Sequence, residues 1–320
     1  MLNLKSQIRG HKAQITKIED AIERGRLPHA MLFTGPESIG KKMVAYAVAQ
    51  KLLCEGLKDM PDSPCGICPS CIRVAKHQSE NILFIEPAGQ NIKVDQAREI
   101  IQFLNLSNFG RNRAIIIDQA HLFNPQAANS ILKILEEPNQ NVYFILIAPE
   151  AESMMRTVRS RSQVIRFHPL TEAEIKSIIP GLSEWVYKCS RGQLNAVAQL
   201  SSPEGMTKRI QSFDLLESFW TEADFLNSTG WRNFFKDREE AQDIIKNWIL
   251  VMRDVLVLKL NELTSVLNSD QMDRLHKFIF LDNARINRFI SGLLKMQKDL
   301  LGYADSTMSV ESLWVMHARK

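Results

Sequence analysis

The sequence predicts an α/β domain built on a parallel sheet, then a small helical domain, then an all-helical C-terminal domain. Three observations lead there. Five short apolar segments alternate with helical patterns through residue 168. Several of those segments are apolar without alternation, as strands buried on both faces of a parallel sheet are. From about residue 207 onward only helical patterns remain. The expected boundaries are 1–168 for the α/β domain, with a cysteine-bearing insertion at 54–71, 169–206 for the small helical domain, and 207–320 for the last.

The strands are expected at 31–34 "MLFT", 82–85 "ILFI", 114–118 "AIIID", 143–147 "YFILI" and 164–167 "VIRF". Helices are expected between them at 12–24, 41–54, 93–106 and 126–137, the last stopped by Pro138. This order makes a layered α/β architecture. After "FHPL" the character changes. Thr171 followed three residues later by Glu174 has the form of a capping box opening "TEAEIKSII", and "GQLNAVAQL" gives a second short helix. The C-terminal third holds long helical patterns such as "EEAQDIIKNWILVMRDVLVLKLNEL" and "NARINRFISGLLKMQKDLLGY".

Composition bounds the function. A chain of 320 residues, 45% apolar and 24% charged, is globular and long enough for two or three cores. Its net charge of +4 is too mild to argue nucleic-acid binding, so any DNA contact must be local. No apolar run approaches the roughly 18–20 residues that cross a bilayer, and "MLNLKSQIRGHK" lacks the order of a signal peptide. The expectation is a cytoplasmic protein without membrane contact.

Residues 35–42, "GPESIGKK", lie between an expected strand and an expected helix. A phosphate-binding P-loop reads Gly, four residues, Gly, Lys, then Ser or Thr, whose hydroxyl ligates Mg²⁺. Gly35, Gly40 and Lys41 fit; Lys42 offers no oxygen and carries positive charge toward the metal position. "RAIIIDQAHLF" is an apolar strand ending in Asp118, as in a Walker B segment, but Gln119 stands where a hydrolase needs a general base, and an amide is not one. Cys54, Cys65, Cys68 and Cys71 have the spacing of a closed structural Zn²⁺ site, since a redox CxxC at "CGIC" would need neither of the other two thiols. Cys189 stands apart as a core thiol. Arg156, Arg159, Arg161 and Arg166 crowd the approach to the fifth strand, where a solvated face is the simplest reading. His11, His29, His77, His121 and His168 have no metal or triad spacing and read as structural.

Taken together, "HAMLFTGPESIGKK", "DQAHLFNPQAANSILKILEEP" and "RSRS" before the fifth strand resemble the clamp-loader branch of the AAA+ proteins, specifically subunits of bacterial DNA polymerase III. The likeness covers the first two domains well and the third mainly in being helical. It implies a helical lid at 169–206 and an oligomerisation collar at 207–320. Members carry a hydroxyl or amide sensor after the fourth strand and an Arg sensor in the lid; here Ala148 with Pro149, and Asn195, stand at those places. The ATP-hydrolysing gamma/tau subunits keep the full set, so the resemblance implies a subunit that does not hydrolyse ATP. The family's Ser-Arg-Cys motif appears as Ser160-Arg161-Ser162. It implies that Arg161 acts in trans as an arginine finger on the ATP of a neighbouring gamma/tau subunit. The implied partners are gamma/tau and delta subunits, the sliding clamp through the complex, and the phosphate backbone of primed DNA without base reading. Two other classes stay open: an active P-loop ATPase like the gamma/tau motor, and a zinc-ribbon nucleic-acid-binding protein.

Overall fold

A computed structural model describes residues 2–56, 64–105, 112–137, 139–228, 230–302 and 304–318. Part of the expected insertion (57–63), the expected helix end at 106 and the stop at Pro138 lie outside the described residues. Two compact units are formed, one from Met1–Pro180 with Gly192–Leu194, the other from Gly181–Arg191 with Asn195–Lys320.

In the first unit the elements run α1 (Lys12–Glu23), β1 (Ala30–Thr34), α2 (Lys41–Leu53), α3 (Pro69–Ala75), β2 (Ile82–Ile85), α4 (Val94–Asn105), β3 (Arg113–Ile117), α5 (Pro125–Glu136), β4 (Val142–Ala148), α6 (Arg156–Arg159), β5 (Gln163–Arg166) and α7 (Glu172–Ile178). The five strands make one parallel sheet in the order β2-β3-β4-β1-β5. Because side chains alternate across a strand, the sheet builds two cores. Ala30, Leu32, Ile115, Ile117, Phe144 and Leu146 face α4 and α5. Met31, Phe33, Ala114, Ile116, Ile145 and Ile147 face α1 and α2. The strands inside the sheet are therefore apolar throughout, which explains their unbroken runs.

This arrangement brings the loops after β1, β3 and β4 to the carboxyl ends of one parallel sheet, the side on which open α/β sheets collect ligands. The loop after β1 fits only because Gly35 has no side chain: its φ is +145°, and a Cβ would stand 2.4 Å from the Phe167 carbonyl oxygen. α7 opens with the expected capping box, Thr171 and Glu174 bonding each other's backbone amides.

The second unit holds α8 (Glu184–Cys189), α9 (Leu194–Ser201, from its second residue), α10 (Pro203–Thr221), α11 (Gly230–Asn233), α12 (Arg238–Lys259), α13 (Met272–His276), α14 (Asn283–Leu301) and α15 (Ser306–His317). Its core is aromatic: Phe219 meets Trp220, Phe225, Trp248 and Phe289 with ring centroids 5.2–5.6 Å apart. A buried polar chain ties α8 to α10 and α12. Arg209 stacks on Trp185, pairs with both Asp270 oxygens at 2.8 Å and donates to Asn268, which in turn bonds the fully buried Asp254. Among the described residues no helix is long and apolar enough to cross a membrane.

Candidate functional site

The loop turns on residues of positive φ. Gly40 caps α2 with φ +98°, Ser38 also has positive φ, and the Gly35 amide donates to the Pro149 carbonyl at 3.0 Å. Lys41 is 6% exposed, and its ammonium is folded onto the carbonyls of Gly35 and Pro36 within the loop. Burial lowers its pKa, with Glu37 and Asp118 acting in the opposite sense. His11, buried with φ +56°, donates from Nε2 to the Ile39 carbonyl at 2.7 Å and so fastens the start of α1 to the loop.

Asp118 lies one residue beyond β3. Its amide donates to the Ile85 carbonyl at 2.8 Å, extending the β2–β3 pairing and setting Asp118 at the carboxyl end of the sheet, one residue past the Ile85–Ile117 pair, as Glu86 is. The Lys42 ammonium comes to the same place, 3.8 Å from Asp118, 3.7 Å from Glu86 and 4.0 Å above the Phe84 ring centroid. Ion pairing and the ring's negative face both favour a cation there. Gln119 follows in a left-handed conformation (φ +47°), its amide N–H bonding the Asp118 carboxylate at 3.0 Å. Ala148, 2% exposed, ends β4 opposite Thr34, and no side-chain hydroxyl or amide stands at 148 or 149. Asn195 lies in the second unit, exposed in the first turn of α9, where its side-chain oxygen accepts from the Ala196 amide.

The four clustered cysteines do converge. Their sulfurs all lie within 4.8 Å of one another, with Cys54–Cys65 at 3.6 Å and Cys65–Cys71 at 3.9 Å. A tetrahedron with Zn–S bonds near 2.3 Å has sulfurs about 3.8 Å apart, so the donor set fits a zinc ion. Backbone amides of Cys65, Cys68 and Cys71 point at the sulfurs of Cys54, Cys65 and Cys68 at 3.4–3.5 Å. In the metal-free protein the Ile67 amide, with others, holds the Cys65 thiol down to about 6, while burial pushes Cys71 up. Metal entry must expel a proton, and affinity falls as pH falls. Cys189 is elsewhere, buried in the second unit and pushed up to about 12 by burial.

Arg156 and Arg159 sit on α6 and Arg166 ends β5. Arg161 lies between these two elements, part exposed. Its guanidinium is engaged within the chain, by the Glu136 carboxylate, by the Thr157 carbonyl at 2.8 Å and by the Ser160 hydroxyl at 3.3 Å.

Residues 10–171, just over half of the chain, match the family described as "DNA polymerase III, delta subunit". The chain belongs to that family. It is 27% identical over 262 residues to the DNA polymerase III subunit delta′ of Bacillus subtilis, covering 78% of each chain. To the gamma/tau subunit of Mycobacterium bovis it is 30% identical over 181 residues, which is 56% of this chain and 31% of that relative. A solved gamma-subunit-related protein of Thermotoga maritima matches over 96% of this chain and 100% of its own, at 17% identity and a TM-score of 0.49. The clamp-loader resemblance read from the loop, the Asp118 strand and the Ser160-Arg161-Ser162 segment is that of DNA polymerase III subunits.

The Mg²⁺ that usually accompanies a nucleotide in such a P-loop domain does not fit these residues. An ammonium 3.8 Å from the Walker-type carboxylate repels a divalent ion and already neutralises its ligand. Replacing Lys42 by Thr removes that cation and adds the hydroxyl. It is expected to make binding of an ATP analogue Mg²⁺-dependent, tightening on the order of tenfold when the ion is added. The unaltered chain should show no such dependence in the same titration. Two residues at these sites were not foreseen in the sequence. Glu86 has a readable signal, directly following a strand of the same sheet. Glu136 has none, since its partner lies 25 residues away on another element.

Proposed function

We propose that this chain is a subunit of the bacterial DNA polymerase III clamp loader that does not hydrolyse ATP itself. It would act in the cytoplasm, in a complex with gamma/tau and delta subunits that loads the sliding clamp onto primed DNA. It would present Arg161 to the ATP of a neighbouring gamma/tau subunit, with 1–168 as the P-loop-like domain, 169–206 as the lid and 207–320 as the collar. DNA contact would come from backbone amides and a few cations on phosphates. Zinc would be held by Cys54, Cys65, Cys68 and Cys71 in a structural role, since four thiolates leave no open position for water.

What carries the non-hydrolysing reading is the Lys42 ammonium beside Asp118. Gln119 in place of a base and Ala148 in place of a polar sensor support it. Gly35, Gly40 and Lys41 keep a shape that could hold at most a phosphate. The likeness to gamma/tau subunits favours a second reading, an active motor ATPase. One assay separates them. Purified chain alone should release no phosphate from Mg-ATP above background, and turnover should appear only on adding a gamma/tau subunit. Mg-dependent turnover by the chain alone would establish the motor instead.

A further inference from the structure

We infer that Glu136 is a positioning residue for Arg161, holding its guanidinium in the attitude from which it meets a neighbour's γ-phosphate. This rests on the finger reading proposed above. Among the arginines around β5, Arg159 meets only Glu152, at 3.8 Å, in the ion pairs formed among the described residues. Arg161 is held from two directions. Its own segment supplies the Thr157 carbonyl and the Ser160 hydroxyl, both to Nη1, while Glu136 takes Nη2 from a different element.

Glu136 is a good anchor because of what lies behind it. It is the last residue of α5, whose start is capped by Asn124 and whose inner face buries Ala127, Ala128, Ile131 and Leu135 against the sheet. That packing fixes the backbone from which the half-exposed Glu136 side chain extends, and groups borne on rigid elements hold their partners more narrowly than groups on loops. The helix C-terminus adds its own partial negative charge beside the guanidinium.

The donor inventory says what remains for a ligand. A guanidinium has five N–H donors. Both on Nη1 and one on Nη2 are spoken for, and Nε is covered and without a partner. That leaves the second Nη2 N–H unengaged among the described residues. A long, flexible side chain thus reaches the surface with its torsions already fixed, so meeting a phosphate orders little that was not ordered before. Without Glu136 the fork would be tied at Nη1 alone, with nothing from another element to hold Nη2.

The test uses the assembled complex of this chain with its gamma/tau and delta subunits, read as steady-state ATP turnover. Glu136→Gln keeps shape and removes charge. It is expected to lower kcat on the order of tenfold with KM for ATP little changed, because the nucleotide is bound by the neighbour. Glu136→Ala should do the same, with complex mass and thermal midpoint unaltered in both. Combined with Arg161→Ala, Glu136→Gln should cost nothing further, since two residues acting as one unit are not additive. A double variant slower than Arg161→Ala alone would make Glu136 structural and overturn the inference. So would an unchanged or raised kcat in Glu136→Gln while Arg161→Ala is impaired, which leaves the finger standing. If Arg161→Ala itself turned over at the full rate, the finger reading would fall and this inference with it.

Discussion

Arg161→Ala is expected to slow ATP hydrolysis at the neighbouring gamma/tau site by about 10³-fold, roughly 4 kcal/mol of transition-state stabilisation, while leaving the complex assembled. The size follows from what a guanidinium does at a transferring phosphoryl group: it meets charge that grows in the transition state, in a site from which water is excluded. The variant should fold normally. Arg161 is part exposed and its ion pair with Glu136 is half-solvated, so its loss costs at most about 1 kcal/mol of stability. Arg161→Lys separates charge from geometry. Lysine keeps the point charge but not the planar fork, and should recover only part of the rate. The measurement is single-turnover hydrolysis in the reconstituted complex beside its mass and melting midpoint. Equal rates in wild type and Arg161→Ala would remove the role assigned here.

How much of this was legible in the sequence depends on how far apart the cooperating residues lie. The five strands could be placed to within a residue at each end because burial on both faces leaves unbroken apolar runs, "AMLFT" and "AIII" being the clearest. Asp118 was read as the end of its strand and lies just past it, where its amide still pairs with Ile85. Lys42 could be read against Asp118 because both occupy fixed places in one motif template, and the ammonium does reach that carboxylate. The cysteines were legible for the same reason, their spacing being local. α3 was missed: seven residues opening with Cys68 as N-cap and Pro69 at the first helical position are too few to show a period. Glu136 on Arg161, His11 on the loop and Arg209 on Asp270 join elements that only the fold brings together. No pattern along the chain encodes them.

Cys71→Ser should have the second largest effect, on stability rather than on turnover. The chain as purified is expected to carry one zinc ion, and the variant none, by metal analysis. Cys71 is fully buried on α3, and the knuckle it belongs to does more than close on itself. The side-chain amide of Gln50, buried on α2, donates to the Cys71 carbonyl at 2.9 Å and the Leu2 carbonyl at 2.7 Å, while its oxygen accepts from the Leu4 amide at 2.9 Å. The Leu2 amide bonds the Gly66 carbonyl at 3.2 Å, and Asn3 reaches the Pro64 carbonyl at 2.7 Å. The cysteine knuckle, the first residues and α2 are thus fastened through one glutamine. Structural zinc contributes folding energy outright. Losing even about 4 kcal/mol of it should lower the melting midpoint of a unit this size by about 10 °C. Hydrogen exchange at the amides of Leu2 and Leu4 should rise in step, since their acceptors sit on the knuckle and on Gln50. Gln50→Ala should keep the zinc and loosen only that segment. Faster exchange at Leu2 and Leu4 in Cys71→Ser, with an unchanged rate in Gln50→Ala, would show that the metal steadies the amino terminus by some other route.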